Sequence, residues 1–147
     1  MIARDRVREA LRRACHDDAL ALDQGLGTEY YAHIEASHLL AAIEALSLLE
    51  NWHHLSAITV IVEGQTCEVL YHLWLGGGVT LRARVPVEGA TLHTLSHLFP
   101  VAAWYEREIH DLTGVNFIGN TNMAPLLLPE EWTGGPPMLQ DAPAEEL

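Results

Sequence analysis

"AITVIVEGQTCEVLYHLWLGGGVTLRARVPVEG", residues 57–89, reads as three consecutive strands, and that reading decides the fold class. The first, "AITVIVEG", is β-branched and continuous, the pattern of a strand buried on both faces at the centre of a sheet. In the second, Val69, Tyr71, Leu73 and Leu75 alternate with Glu68, Leu70, His72 and Trp74. In the third, Val79, Leu81, Ala83 and Val85 alternate with Thr80, Arg82 and Arg84. A period of two sends each apolar set to one face of a sheet. The run Gly76–Gly78 is a hairpin signal. It is no nucleotide loop, because it lacks the G-x-G-x-x-G spacing and joins two strands with no helix after it.

Upstream, residues 2–15 read as an amphipathic helix, with Ala3, Val7, Ala10, Leu11 and Ala14 on one side and arginines opposite. Its alanine-rich stripe has no aromatic anchor, which favours docking on a protein surface over lying on anionic lipid. Glycines at 25 and 27 mark a turn before a short strand holding Tyr30, Tyr31 and Ile34. A helix follows in "SHLLAAIEALSLLEN", with Ser37 as its N-cap and Leu39, Ile43, Leu46 and Leu49 as its apolar stripe.

Downstream, "TLHTLSHLFP" predicts a short helix and "PVAAWYEREIHDLTG" a longer one, with Pro100 at its first position and Gly114 just past its end. The order predicts an α+β domain over residues 1–115: a mostly antiparallel sheet with helices packed on one face. From 116 to 147 an extended C-terminal arm is expected, because Pro125, Pro129, Pro136, Pro137 and Pro143 exclude a long helix or a central strand. Leu126–Leu128, Trp132 and Met138 in that arm need a cover, so it reads as a docking device, with packing back on the same domain as the alternative. In a free chain, residues beyond about 120 are expected to be mobile.

Lysine is absent and all eight basic residues are arginines, which removes Schiff-base and Walker-lysine chemistry. Residues 1–13 carry five arginines and two acids; the rest carries three arginines and eighteen acids, and the whole chain is −12. A body so negative repels phosphate backbones, which argues against nucleic acid. Cys15 and Cys67 are too few for a thiolate metal site and read as reduced cysteines of a cytoplasmic protein. No secretory signal and no apolar run long enough to span a membrane are seen.

Nine histidines invite a metal. His93 and His97 stand four apart, with His110 or Glu106 as a third ligand, but the position where a metalloprotease carries its glutamate is Thr94. Glu106, Glu108 and Asp111 lie on different sides of one helix, so they do not converge on a substrate. The expected pairs along it are Glu106 with His110 and Arg107 with Asp111. The residues themselves point to no catalytic, cofactor or metal site.

The stretch "EREIHDLTGVNFIGN" closely resembles the signature of the respiratory-chain 30 kDa-subunit family, the C subunit of the proton-pumping NADH:quinone oxidoreductase (complex I). Glu106, Arg107, Glu108, Asp111, Gly114, Val115 and Phe117 carry the match. The approach through Trp104, the glycine at Gly119 and the downstream "LLLPEEW", with Leu127, Leu128 and Trp132, are similar too. The chain departs where relatives have His-Pro and basic residues after the glycine: Asn120, Thr121, Met123, Ala124 and Pro125 stand there. The usual P-L-R-K-D ending reads Pro137-Met138-Leu139-Gln140-Asp141, without its two charges. The form "PLLLPEEW…PP" also resembles the homologous subunit of energy-converting nickel–iron hydrogenases.

The resemblance implies a non-catalytic structural subunit on the cytoplasmic face of the cell membrane, peripheral and without a span of its own. FMN, iron–sulfur clusters and quinone are expected in partner subunits, none in this chain. The domain and arm would pack on the large subunit that forms the quinone cavity and on cluster-bearing neighbours. Arg107 is expected to be partly buried, held by Asp111 and a flanking glutamate, and to set how its helix meets the turn from Gly114 to Gly119.

Overall fold

The strands of residues 54–86 build one side of a five-stranded sheet, from its centre to one edge. The computed structural model describes residues 2–50 and 53–140. The ends of two expected segments, Asn51 of the second helix and Asp141 and Pro143 of the arm, lie outside the described residues. β1 (Asp23–Gln24), β2 (Tyr30–His33), β3 (His54–Glu63), β4 (Thr66–Trp74) and β5 (Gly78–Pro86) are arranged in the order β1-β2-β5-β4-β3. All neighbours are antiparallel except β2 with β5. The chain between the two strands of that parallel pair runs through a helix and through β3 and β4.

The alternation seen in the sequence sets the register. Val69, Tyr71 and Leu73 of β4 lie opposite Ala83, Leu81 and Val79 of β5, and all six are buried. The other face carries polar cross-strand contacts. His72 sits between the hydroxyls of Thr59 (2.9 Å) and Thr80 (3.0 Å). Glu68 pairs with Arg82 and, at 3.7 Å, with Arg84. Burial pushes the His72 imidazole below its ordinary pKa, against the pull of Glu29.

The expectation for "AITVIVEG" is overturned. β3 is an edge strand with alternating burial, and β5 occupies the centre. Continuity of β-branched residues reports suitability for a pleated surface; which strand gains a neighbour on both sides is decided by the return of β2 beside β5.

α1 (Arg4–Cys15) buries Val7, Leu11 and Cys15, spaced by one turn each, and packs beside α2 (Leu39–Ser47), which buries Leu39, Ala42, Ile43 and Leu46. These stripes join the inner sheet face in one core. The α1 arginines are largely occupied at home: Arg4 donates to the Leu22 carbonyl, Arg6 to the Leu49 carbonyl (2.7 Å) and Arg12 to the Leu20 carbonyl (3.1 Å). The helix docks on its own domain. Ser37 is not the cap of α2; it lies in a single 3-10 turn, Ala36–His38, and His38 precedes the helix.

After β5 the sequence reading fails again. "TLHTLSHLFP" forms β6 (Thr91–His93) and then turns, because Leu92 pairs in register with Phe117 of β7 (Asn116–Ile118) in a two-stranded parallel sheet. Both side chains are buried. Between these strands lies α3 (Ala102–Thr113), which packs along β3. Pro100 precedes its first helical residue by two positions, in a tight turn that leads into the helix. Gly114 ends α3 at φ 80°, with its N–H on the His110 carbonyl at 2.8 Å. That left-handed position favours a residue without a Cβ.

Candidate functional site

α3 offers a different side chain to each of three stretches of backbone, and together they fasten the start of the arm. Glu106 is fully buried. One of its oxygens accepts the Leu95 N–H at 2.8 Å; the other accepts the Thr94 hydroxyl at 2.7 Å and the Asn120 side-chain amide at 2.9 Å. A carboxylate in the interior is tolerable when its lone pairs are occupied by donors, as here. Glu106 thereby links the loop after β6 to the residue that follows Gly119. Gly119 itself has φ 91°, and a Cβ there would lie 2.9 Å from Thr94 Cγ2, so both conformation and space call for glycine.

Asp111, five residues along α3, is also buried. Its Oδ2 accepts three successive backbone N–H groups, from Leu126 (2.7 Å), Leu127 (2.8 Å) and Leu128 (3.3 Å). Burial pushes this carboxyl up. The N–H groups of Leu127, Leu126 and Leu128, with His110 nearby, outweigh it and hold Asp111 below the usual carboxylate range. Arg107 lies between the two acids. Its Nε and Nη2 donate to the carbonyls of Ala124 (3.1 Å) and Pro125 (3.2 Å), and its guanidinium sits 5.2 Å from the centre of the Trp104 ring.

The structure therefore corrects the expectation for Arg107. It is half-buried, but its partners are two arm carbonyls and an indole, not Asp111 or a glutamate. Neither expected helical pair forms: Asp111 is taken by the arm, Glu106 by Leu95, Thr94 and Asn120, and His110 Nδ1 by the Val115 carbonyl at 2.9 Å. The stretch from Asn120 to Leu128, expected to be mobile in a free chain, is hydrogen-bonded to α3. Arg107 and Asp111 tie its backbone to α3 at every residue from Ala124 to Leu128, and Glu106 holds the Asn120 side chain.

Of the residues singled out from the sequence, Glu106, Arg107, Asp111, Gly114 and Gly119 come together here, and Phe117 is buried beside them in β7. Glu108 is half-buried beside the β3 edge, in a shallow groove with Ile58 and Met138. Trp104, Leu127 and Trp132 are 57%, 56% and 42% exposed, while Leu128 is half-buried. Thr94 and Asn120 were missed as partners of the signature. For Asn120 the signal was its place beside Gly119 in a turn, where polar residues commonly hold backbone or acids; Thr94 carried none.

Both acids accept hydrogen bonds from the chain itself, Glu106 through both oxygens and Asp111 through Oδ2 alone. Among the described residues no group of three or more His, Cys, Asp or Glu side chains could hold a metal ion. His93 and His97 are not on one helix, and His110 and Glu106 are engaged elsewhere. Cys15 and Cys67 are buried free thiols, and burial pushes both up, away from reactivity. No helix among the described residues is long and apolar enough to cross a membrane.

An α+β domain whose signature helix fastens an extended arm defines the structural class. The chain belongs to the respiratory-chain NADH dehydrogenase 30 Kd subunit family, whose model matches residues 32–146. It is 43% identical over 58 residues to the C subunit of the NADH-quinone oxidoreductase of Herpetosiphon aurantiacus, covering 40% of this chain and 34% of that one. It is 40% identical over 79 residues to the fused C/D subunit of the Aeromonas hydrophila enzyme, covering 52% of this chain and 13% of that one. The matched stretches are thus well under two thirds of either relative. The fold is that of a subunit in an archaeal respiratory membrane complex, the membrane-bound sulfane sulfur reductase, with TM-score 0.73, 23% identity, and coverage of 86% of this chain and 77% of the other. A trypsin-resistant fragment of Nqo5 shares it too, with TM-score 0.63, 20% identity, and coverage of 80% and 98%.

Proposed function

We propose that this chain is a non-catalytic structural subunit of the peripheral arm of a membrane-bound NADH:quinone oxidoreductase. It supports electron transfer from NADH to quinone, coupled to proton translocation, without carrying a redox group. FMN, the iron–sulfur clusters and quinone belong to partner subunits. The chain sits at the cytoplasmic face of the cell membrane, packed on the large quinone-cavity subunit and on cluster-bearing neighbours.

The observation that carries this reading is the arm. Its stretch from Asn120 to Leu128 is secured by Glu106, Arg107 and Asp111, yet Leu127 there, and Trp132 and Met138 beyond it, are exposed, as is Trp104 beside Arg107. A segment that is fixed in shape and displays apolar and aromatic groups is preorganised for a protein partner. The family and the named relatives supply the class of complex.

A second reading, the equivalent subunit of an energy-converting membrane-bound nickel–iron hydrogenase, is favoured by one observation. Asn120, which binds Glu106 here, and the uncharged stretch after it depart from the basic pattern of the quinone-reductase branch. Mild-detergent affinity purification from native membranes, with mass spectrometry of the co-purifying subunits, separates the two. Flavin- and cluster-bearing NADH-oxidising subunits support the first. A large subunit with nickel-binding cysteines replaces it with the second, and recovery of the chain alone ends both.

A further inference from the structure

β3 is the last strand of its sheet, and among the described residues no strand lies on its far side. Glu63 and Thr66 close a two-residue hairpin, which fixes the direction of every backbone group along β3. Glu63, Ile61, Thr59 and Ala57 turn their N–H and C=O groups toward β4, and Val62, Val60 and Ile58 turn theirs away. Ser56, at the bulge, continues the outward set: its carbonyl accepts the Tyr105 hydroxyl at 3.0 Å. Ile58 is buried, but Val60 and Val62 are half-buried, and their outward groups have no partner among the described residues. Edge strands are ordinarily blunted by charge or proline, and residues 57–62 carry neither. Along this edge runs a groove lined by Val60, Tyr105, Leu112 and Met138, in which Glu108 is the one charged residue. Glu106, Arg107 and Asp111 are engaged by the arm and its approaches; Glu108, half-buried, has no hydrogen bond or ion pair among the described residues.

We propose that the open edge at Val60 and Val62, with Glu108, is a docking site for an extended segment of a neighbouring subunit, which joins the sheet as a sixth strand beside β3. Main-chain hydrogen bonds to Val60 and Val62 attach the segment, and the groove selects its side chains. Alternate residues of the segment are apolar and pack on Leu112 and Met138. One residue is an arginine or lysine that reaches Glu108, because covering an unpaired carboxylate without a cation is costly. Charge argues against two other occupants. A β3 strand from a second copy brings no arginine, since residues 54–66 have none. Residues 141–147 of this chain hold three acids and no basic residue. The inference rests on the reading of the chain as a subunit of a larger complex.

The test is amide hydrogen exchange of the full chain, first alone and then in the complex recovered from native membranes in mild detergent. The Val60 and Val62 amides should exchange fast in the free chain and at least about tenfold slower in the complex, while the Val69 and Leu81 amides do not change. Val60→Pro removes one outward N–H and no bond to β4, so the free chain should melt within ~5 °C of the wild type while recovery of partner subunits falls several-fold. Glu108→Arg should lower recovery in the same way, and Glu108→Gln by less. If Val60→Pro does not fold, Glu108→Arg and the wild-type exchange decide. Partners recovered with both valine amides still exchanging fast overturn the proposal and leave the subunit reading standing. Slow exchange already in the free chain overturns it too, because the chain then covers its own edge. Recovery of no partner at all overturns both.

Discussion

The sheet core and the base of the arm are held by opposite kinds of force. Val69, Tyr71, Leu73, Leu81 and Ala83 are held by removal of apolar surface from water, which has no direction and no dependence on ionisation. The stretch from Asn120 to Leu128 is mostly exposed and is held by directed bonds from three side chains of one helix. Tyr71 belongs to the first region: burial, reinforced by the nearby Glu106 charge, pushes its phenol far above the ordinary range, so it stays neutral. A core of this kind makes a stable domain. Directed bonds fix an exposed segment in one shape while leaving its apolar side chains free for something else.

The largest change should come from the core. Leu81→Ala removes a fully buried side chain at the centre of the sheet and is expected to cost about 2–5 kcal/mol, read as a lower urea midpoint with an unchanged slope. A loss under about 1 kcal/mol would mean that β5 is not central to the core.

Glu106→Gln keeps the shape but places an amide N–H where either the Leu95 N–H or the Thr94 and Asn120 donors already point. A loss of about 2–3 kcal/mol is expected, with Asn120 and Leu95 both losing protection from hydrogen exchange. If Asn120 alone were released, the buried carboxylate would not be a joint between loop and arm.

Asp111→Asn sharpens the contrast, because its effect should stay local. Amides of Leu126, Leu127 and Leu128 should exchange about tenfold faster, equivalent to ~1.4 kcal/mol, while the Val69 and Leu81 amides do not change. The same contact gives a pH dependence of known sign. The folded-state pKa of Asp111 lies below its unfolded value, so its stabilisation is complete above ~4 and is lost as pH falls through the depressed folded value. Protection of the three leucine amides in the wild type should therefore drop at acidic pH below that of an ordinary aspartate, and Asp111→Asn should abolish the transition. A pH-independent wild type would refute the carboxylate's role.

Arg107→Ala should have the smallest effect. Hydrogen bonds to two arm carbonyls and a partly solvated contact with Trp104 together contribute under about 1 kcal/mol, a shift of a few degrees at most in melting temperature. A loss of about 3 kcal/mol or more would instead indicate the buried ion pair with Asp111 that the spacing along the helix had promised.

Much of the molecule was legible in residues 57–89 and in the α3 signature. Alternation placed Val69, Tyr71, Leu73, Val79, Leu81 and Ala83 on one buried face, and Gly114 marked the end of α3. The tasks of Glu106 and Asp111 were not legible. Most of the donors they accept are backbone N–H groups, of Leu95, Leu126, Leu127 and Leu128, and a backbone amide is the same chemical object at almost every residue. Helical spacing suggested instead the partners that lie along the same helix, and those lost to partners brought in from elsewhere.

The amino-acid sequence by itself determined the strand faces, the main helices, the proline-rich arm and the family, because these depend on short-range periodicity, on residues that restrict the backbone, and on a contiguous signature. Only the tertiary structure decided that β3 lies at an edge, that "TLH" is a strand because Leu92 meets Phe117, and that Asp111 holds the arm instead of pairing with Arg107. Each of those outcomes depends on which distant backbone arrives as a neighbour. A neighbour's unpaired N–H or buried side chain offers more than the local preference that it overrides.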